Sequence, residues 1–141
     1  RKAVRGMDSV RGGRIDGDGL VRDKRTLLIG EGVAPERVTV ERDFVVEGDD
    51  GFIAYTFKHG MPFISHVLVY PEKRGGFRWL SILRAFEDEI ARKGHDIYIV
   101  EVPGHRQYFK PFLRFIGVTE PYAEKDGSEF YLVRCGNVRR V

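Results

Sequence analysis

Apolar positions along this chain follow a period of two through its middle and then switch, twice, to a period near 3.6. Val38, Val40 and Phe44 to Val46 predict one or two strands, Phe52 to Phe57 the return strand, and Phe63 to Tyr70 a further one. Asp49-Asp50-Gly51, whose residue types tolerate the φ > 0 geometry of tight turns, and the turn Lys58-His59-Gly60-Met61-Pro62 separate them. The strands therefore read as an antiparallel meander. Trp79, Ile82, Leu83, Phe86 and Ile90 then fall on one face of a helix. Asp88 with Arg92 and Glu89 with Lys93 offer i,i+4 pairs, and Gly94 supplies the left-handed residue that ends it.

Asp96 to Val102 is apolar at both parities, the mark of a strand covered on both faces and so central in its sheet. A second helix follows, burying Phe109, Phe112, Leu113 and Ile116, with Pro111 in its first turn and Gly117 as its stop. Val118 to Ala123, a turn at Lys125-Asp126-Gly127, and Glu129 to Val133 predict a closing hairpin. The whole is an α/β chain with a mixed sheet: meander, then β-α-β-α, then hairpin.

Residues 1–32 show neither period and are rich in glycine, so they read as a basic arm ahead of a folded body at 33–141, with a short strand at Thr26–Ile29. Charge sharpens that division. The first 25 residues hold eight Lys or Arg against four Asp, although the whole chain carries only +3, so the remainder is slightly acidic. Such an arm fits a nucleic acid or an acidic protein partner through counterion release, or a solvated tail. Asp16-Gly17-Asp18-Gly19-Leu20 begins like a calcium loop but has Leu at the third ligand place, which reads as a turn.

One cysteine, Cys135, allows no intrachain disulfide and fits a reducing, cytoplasmic setting. It reads as a small half-buried side chain at a strand end. No apolar run approaches membrane-spanning length, and the basic start leads into no apolar leader, so neither membrane nor secretion is expected. His59, His66, His95 and His105 lack ligand spacing, so no metal site is expected.

The chemistry-bearing stretch is Phe63 to Gly117: a strand, the turn Pro71-Glu72-Lys73-Arg74-Gly75-Gly76, a helix, a strand, a helix. A basic, glycine-bearing turn that opens a helix presents backbone N–H groups and positive charge to a phosphorylated ligand. The order of elements from Val38 to Arg134 resembles the GNAT-type N-acetyltransferases. Val69-Tyr70-Pro71-Glu72-Lys73-Arg74-Gly75 is similar to that family's strand-end V-x-P-x-x-R-G. Glu87 to Gly94 resembles its helix ending at glycine, and Phe112-Leu113-Arg114-Phe115-Ile116-Gly117 resembles its last helix.

The resemblance implies that the strands ending at Tyr70 and Val102 splay apart and hold acetyl-CoA in the wedge. It assigns the cofactor to Val69, Lys73, Arg74, Gly75, Gly76, Phe77, Arg78 and Trp79, with the pyrophosphate on the Lys73–Trp79 turn. In the family signature Q/R-x-x-G-x-G/A, with Arg74 first, the two small positions fall on Phe77 and Trp79. Leu113 stands where many members carry a tyrosine acid, and Arg106 where an asparagine is common. Glu47, His66 and Glu101 are the candidate general bases, with His66 and Glu101 the catalytic pair expected; His66 also fits a packed, hydrogen-bonded strand residue and Glu101 a surface ion pair.

Departures of this kind also resemble the divergent GNAT-like proteins of tailed bacteriophages, through the Phe-Leu-Arg-x-Ile-Gly helix and the stretch Glu120 to Val133. Two functions follow as expectations. One is acetyl transfer from acetyl-CoA to an amine acceptor. The other is a GNAT fold without catalysis, serving in a virion or its assembly. A third reading, a nucleic-acid module, rests on the arm and on Tyr108, Phe109 and Phe115 among Arg106, Lys110 and Arg114.

Overall fold

The computed structural model describes residues 23–104, 110–118 and 120–136. The chain divides into two compact units, Arg1–Glu41 and Arg42–Val141.

In the first unit, α1 spans Lys24–Gly30, where a strand was expected at Thr26–Ile29. The cause is local. Asp23 accepts from the Thr26 backbone N–H at 3.3 Å and from its hydroxyl at 2.8 Å, an N-cap that outweighs the β preference of Thr and Ile. Val38 and Val40 are buried, yet they follow a short 3-10 helix at Pro35–Arg37 and do not form a strand. Arg25 takes the carbonyls of Pro35 at 3.2 Å and Val38 at 3.1 Å while paired with Glu41. The Val38 carbonyl, an acceptor that a ladder would use, is thereby committed. The arm reading of residues 1–22 lies outside the described residues.

In the second unit the meander is β1 (Phe44–Glu47), β2 (Gly51–Lys58) and β3 (Met61–Val69). Next come α2 (Arg78–Arg92), β4 (Ile97–Pro103), α3 (Lys110–Phe115), β5 (Ala123–Lys125) and β6 (Ser128–Arg134). Among the described residues these strands form one mixed sheet in the order β1-β2-β3-β4-β6-β5, with only β3 and β4 parallel. The expected α/β architecture is present, with β4 central. The β2–β3 and β5–β6 hairpins turn on His59-Gly60 and Asp126-Gly127, all four with positive φ. That geometry matches the right-handed twist of the strands.

The closing hairpin has a shorter first arm than the sequence predicted. The Val118 N–H is used to close α3 on the Leu113 carbonyl at 2.9 Å, and Pro121 has no N–H to give a ladder. Pairing with β6 begins with the Tyr122 N–H and the strand proper with Ala123.

The predicted stripe of α2 packs as expected: Ile82, Leu83, Phe86 and Ile90 cover Ile53, Tyr55, Ile64, Tyr98 and Val102. Phe86 meets Tyr55 and Tyr98 edge-to-face at ring separations of 5.2 and 4.9 Å. Leu113 of α3 and Ile116 just after it join the same core with Tyr131 and Val133. Phe109 and the side chain of Phe112 lie outside the described residues. Two members of α2 escaped the sequence pattern, Leu80 and Glu87, both buried. Glu87 accepts from the Tyr98 hydroxyl at 2.6 Å and from the Gly136 N–H at 3.0 Å. Those bonds let a carboxylate lie in an apolar core.

Candidate functional site: the wedge between β3 and β4

β3 and β4 pair at Phe63↔Ile99 and Ile64↔Val100 and then part, β3 running on to Val69 and β4 to Pro103. Their outer edges stay zipped throughout, Gly51↔Val69 on one side and Pro103↔Ser128 on the other. The opening is thus confined to one seam. One residue past the last pair, β3 carries a bulge. Ala54 faces His66 while Tyr55 faces Ile64, so Ser65 is an extra residue in β3. A bulge of this kind bends its strand and raises its twist.

The bulge also changes which side chains face where. Val67 and Val69 join Ile64 against the core under α2, which sends His66, Leu68 and Tyr70 to the opposite face. Glu101 lies on that face as well, across from Phe130, whose ring meets Phe63 at 6.4 Å. His66, 8% exposed, and Glu101, half-buried, therefore stand within two residues of the point where the seam opens, on adjacent strands and the same sheet face. The third candidate, Glu47, accepts a hydrogen bond from the Tyr70 hydroxyl at the far end of β3.

The turn that follows β3 holds the residues expected to meet phosphate. A 3-10 turn at Pro71–Lys73 leads through Arg74 to Gly75 and Gly76, at φ 107° and 62°. Both lie in the left-handed region, which glycine enters at no steric cost. Phe77 is the N-cap residue of α2, gives it no side-chain cap, and is 61% exposed. Trp79 packs against the hydrophobic core, so what its position can offer a ligand is backbone. Two cations of the turn have protein partners. Arg74 donates to the Val69 carbonyl at 3.1 Å and Arg78 to Asp50 at 3.2 Å.

Asp50 had no signal in the sequence beyond its place in a turn. Its carboxylate also accepts from the Ser81 hydroxyl at 2.9 Å. The Ser81 hydrogen bond, and then Arg78, hold it below the ordinary carboxylate range.

A second polar group lies at the other wall. Glu129, opposite Val102, accepts from the Tyr131 hydroxyl at 3.0 Å and pairs with Lys110 at 2.8 Å. Burial, then Glu129, pushes the Tyr131 phenol up to about 12. Leu113 is packed in the core at the place where the resemblance would put a tyrosine. The position of Arg106, and of the aromatic Tyr108 and Phe109, lies outside the described residues. Among the described residues no three His, Cys, Asp or Glu are grouped to hold a metal ion, and no helix is long and apolar enough to cross a membrane.

The sequence matches no family model and no curated protein. Among solved structures, it is similar to a candidate acetyltransferase of the GNAT family from Desulfovibrio desulfuricans, with a TM-score of 0.52 at 18% identity. The similarity covers 78% of this chain and 89% of that one. At that identity the likeness establishes a GNAT-like fold.

Proposed function

We propose that this chain is a GNAT-type N-acetyltransferase that takes acetyl-CoA into the wedge and transfers the acetyl group to an amine. The observation that carries the reading is the single opened seam, two parallel strands parted on their inner edges and held on their outer ones. Past Ile64 and Val100 the inner backbone groups no longer pair with each other. An amide-bearing chain of pantetheine type carries both donors and acceptors that can run along strand edges parted in this way. The turn from Lys73 to Trp79, with its left-handed glycines and the start of a 15-residue helix, is where the diphosphate of such a ligand would sit.

In this reading the neutral amine attacks the thioester carbonyl carbon, the C–S bond breaks, and the thiolate leaves to take up a proton. The proton lost by the amine passes to His66 or Glu101, directly or through water. The acceptor approaches from the sheet face these two share.

A second reading keeps the fold without the chemistry, as a scaffold in an assembly such as a phage particle. Bulky Phe77 and Trp79 at the small positions of the phosphate signature favour it, as does Leu113 in place of an acid. One titration separates the two. A ligand at a hundred times its Kd stabilises the folded state by about 2.7 kcal/mol. The enzyme reading expects a rise of several degrees in Tm with millimolar acetyl-CoA, and release of free CoA thiol when a panel of amines is added. No shift at that concentration leaves the scaffold reading standing.

A further inference from the structure

We infer that Asp50 is the positioning residue of the Lys73–Trp79 turn, fixing from outside the backbone groups that meet the ligand's diphosphate. The inference rests on the acyl-CoA reading for its ligand and on hydrogen bonds for its geometry. Asp50 lies in the β1–β2 turn, distant in sequence from the element it holds, and it is bonded to both ends of that element. Its backbone carbonyl accepts from the Tyr70 N–H at 2.8 Å, where β3 ends. Its carboxylate accepts from the Arg78 guanidinium at 3.2 Å and the Ser81 hydroxyl at 2.9 Å, where α2 begins. One residue thus sets the distance between the residue just past the strand and the first turn of the helix.

Two features show why outside support is needed. Within the turn, a Cβ built on Gly75 or Gly76 would meet nothing within 4 Å, so packing does not hold these residues in place. At the helix start, Phe77 provides no side-chain cap. The usual device for fixing a first turn also occupies its N–H groups; here the fixing is done from the side, by the residue 78 and 81 side chains. The neighbour of Asp50 adds stiffness. A Cβ on Gly51 would come within 2.0 Å of the Leu68 carbonyl oxygen and 2.9 Å of Ile82 Cδ1, so the β1–β2 turn is pressed against both β3 and α2.

A carboxylate beside an anion site also repels the ligand, and this opposes its positioning role. The geometry favours positioning, because the charge of Asp50 faces Arg78 and its removal would free both that side chain and the turn. Loss of a pre-set conformation weakens binding by the entropy of ordering it again.

The test uses the full chain with Asp50→Ala, Asp50→Asn and Ser81→Ala, the last leaving the Asp50 backbone bond and Arg78 contact in place should Asp50→Ala not fold. CoA affinity is measured by calorimetry, and amide exchange of residues 73–79 by mass spectrometry. Asp50→Ala is expected to bind CoA about tenfold more weakly, with faster exchange confined to the turn, and Asp50→Asn, which keeps an acceptor for Ser81, to fall between. Equal affinity in all variants overturns the inference. So does tighter binding by Asp50→Asn, which would make the carboxylate a competing anion. A wild-type chain that binds no CoA ends the acyl-CoA reading, and exchange alone then decides: faster exchange in the turn of Asp50→Ala supports the positioning role, unchanged exchange overturns it.

Discussion

Cys135 is half-buried at the end of β6, and burial, followed by Glu87 and Asp96, pushes its thiol up to about 11. The thiolate is the reactive form, so the folded protein has far less of it at pH 8 than an unfolded chain has. The greater nucleophilicity of a more basic thiolate recovers part of that loss. Alkylation by iodoacetamide at pH 8 is expected to be about tenfold slower in the folded chain than in urea, measured by mass. An equal rate would show that the thiol is not shielded. The sequence predicted this half-buried thiol because a small apolar residue at a strand end is a local pattern. Asp50 was invisible by the same standard. Its neighbours suit a turn, and nothing in them reveals that its carboxylate meets Ser81 and Arg78 across the sheet.

At the scale of elements, α2 shows how far periodicity reaches. Its stripe and its Gly94 stop, where the His95 N–H returns to the Ile90 carbonyl at 2.9 Å, follow the sequence closely. Glu87 does not, because a carboxylate at a buried position is tolerable only when distant donors reach it, here Tyr98 of β4 and Gly136 beyond β6. Glu87→Ala would strand a buried hydroxyl and an N–H. At about 1–3 kcal/mol for each unsatisfied group, we expect a loss of about 2–6 kcal/mol in chemical denaturation, against less than about 1 kcal/mol for exposed Arg84→Ala. A small loss at Glu87 would mean that water replaces both donors. The same contrast explains the first unit. A strand at Thr26–Ile29 and one through Val38 and Val40 fit local preference, but the Asp23 cap and the reach of Arg25 to Pro35 and Val38 set the backbone otherwise.

At the scale of the whole molecule, one thiol and three phenols among the described residues respond to base in the same sense. Cys135 is raised from 9.0 to about 11 and Tyr131 from 10.0 to about 12, with Tyr55 and Tyr98 raised further by burial and by Glu89 and Glu87. Each holds its proton more tightly folded than unfolded. Their contribution is therefore intact below about pH 9 and is lost as pH rises through the window above it. Asp50 acts in the opposite sense: its pKa is lowered from 3.8, so its contribution is lost as pH falls through that region. Tm is expected to fall steadily above pH 9, with part of the tyrosinate absorbance at 295 nm appearing only as the protein unfolds. Complete titration near pH 10 with the fold intact would contradict the burial of these phenols.

By itself the sequence determined the kind and order of nearly every element in the second unit, and the places of its hairpin turns, because periodicity, caps and turn residue types act between residues a few positions apart. It also placed His66 and Glu101 on the two strands that border the seam. Tertiary structure alone decided that Ser65 is an extra residue, that the seam opens at it, that those two side chains share a face, and that Asp50 fixes the turn. Register and long-range hydrogen bonds are properties of pairs of segments, and no single stretch of chain contains them.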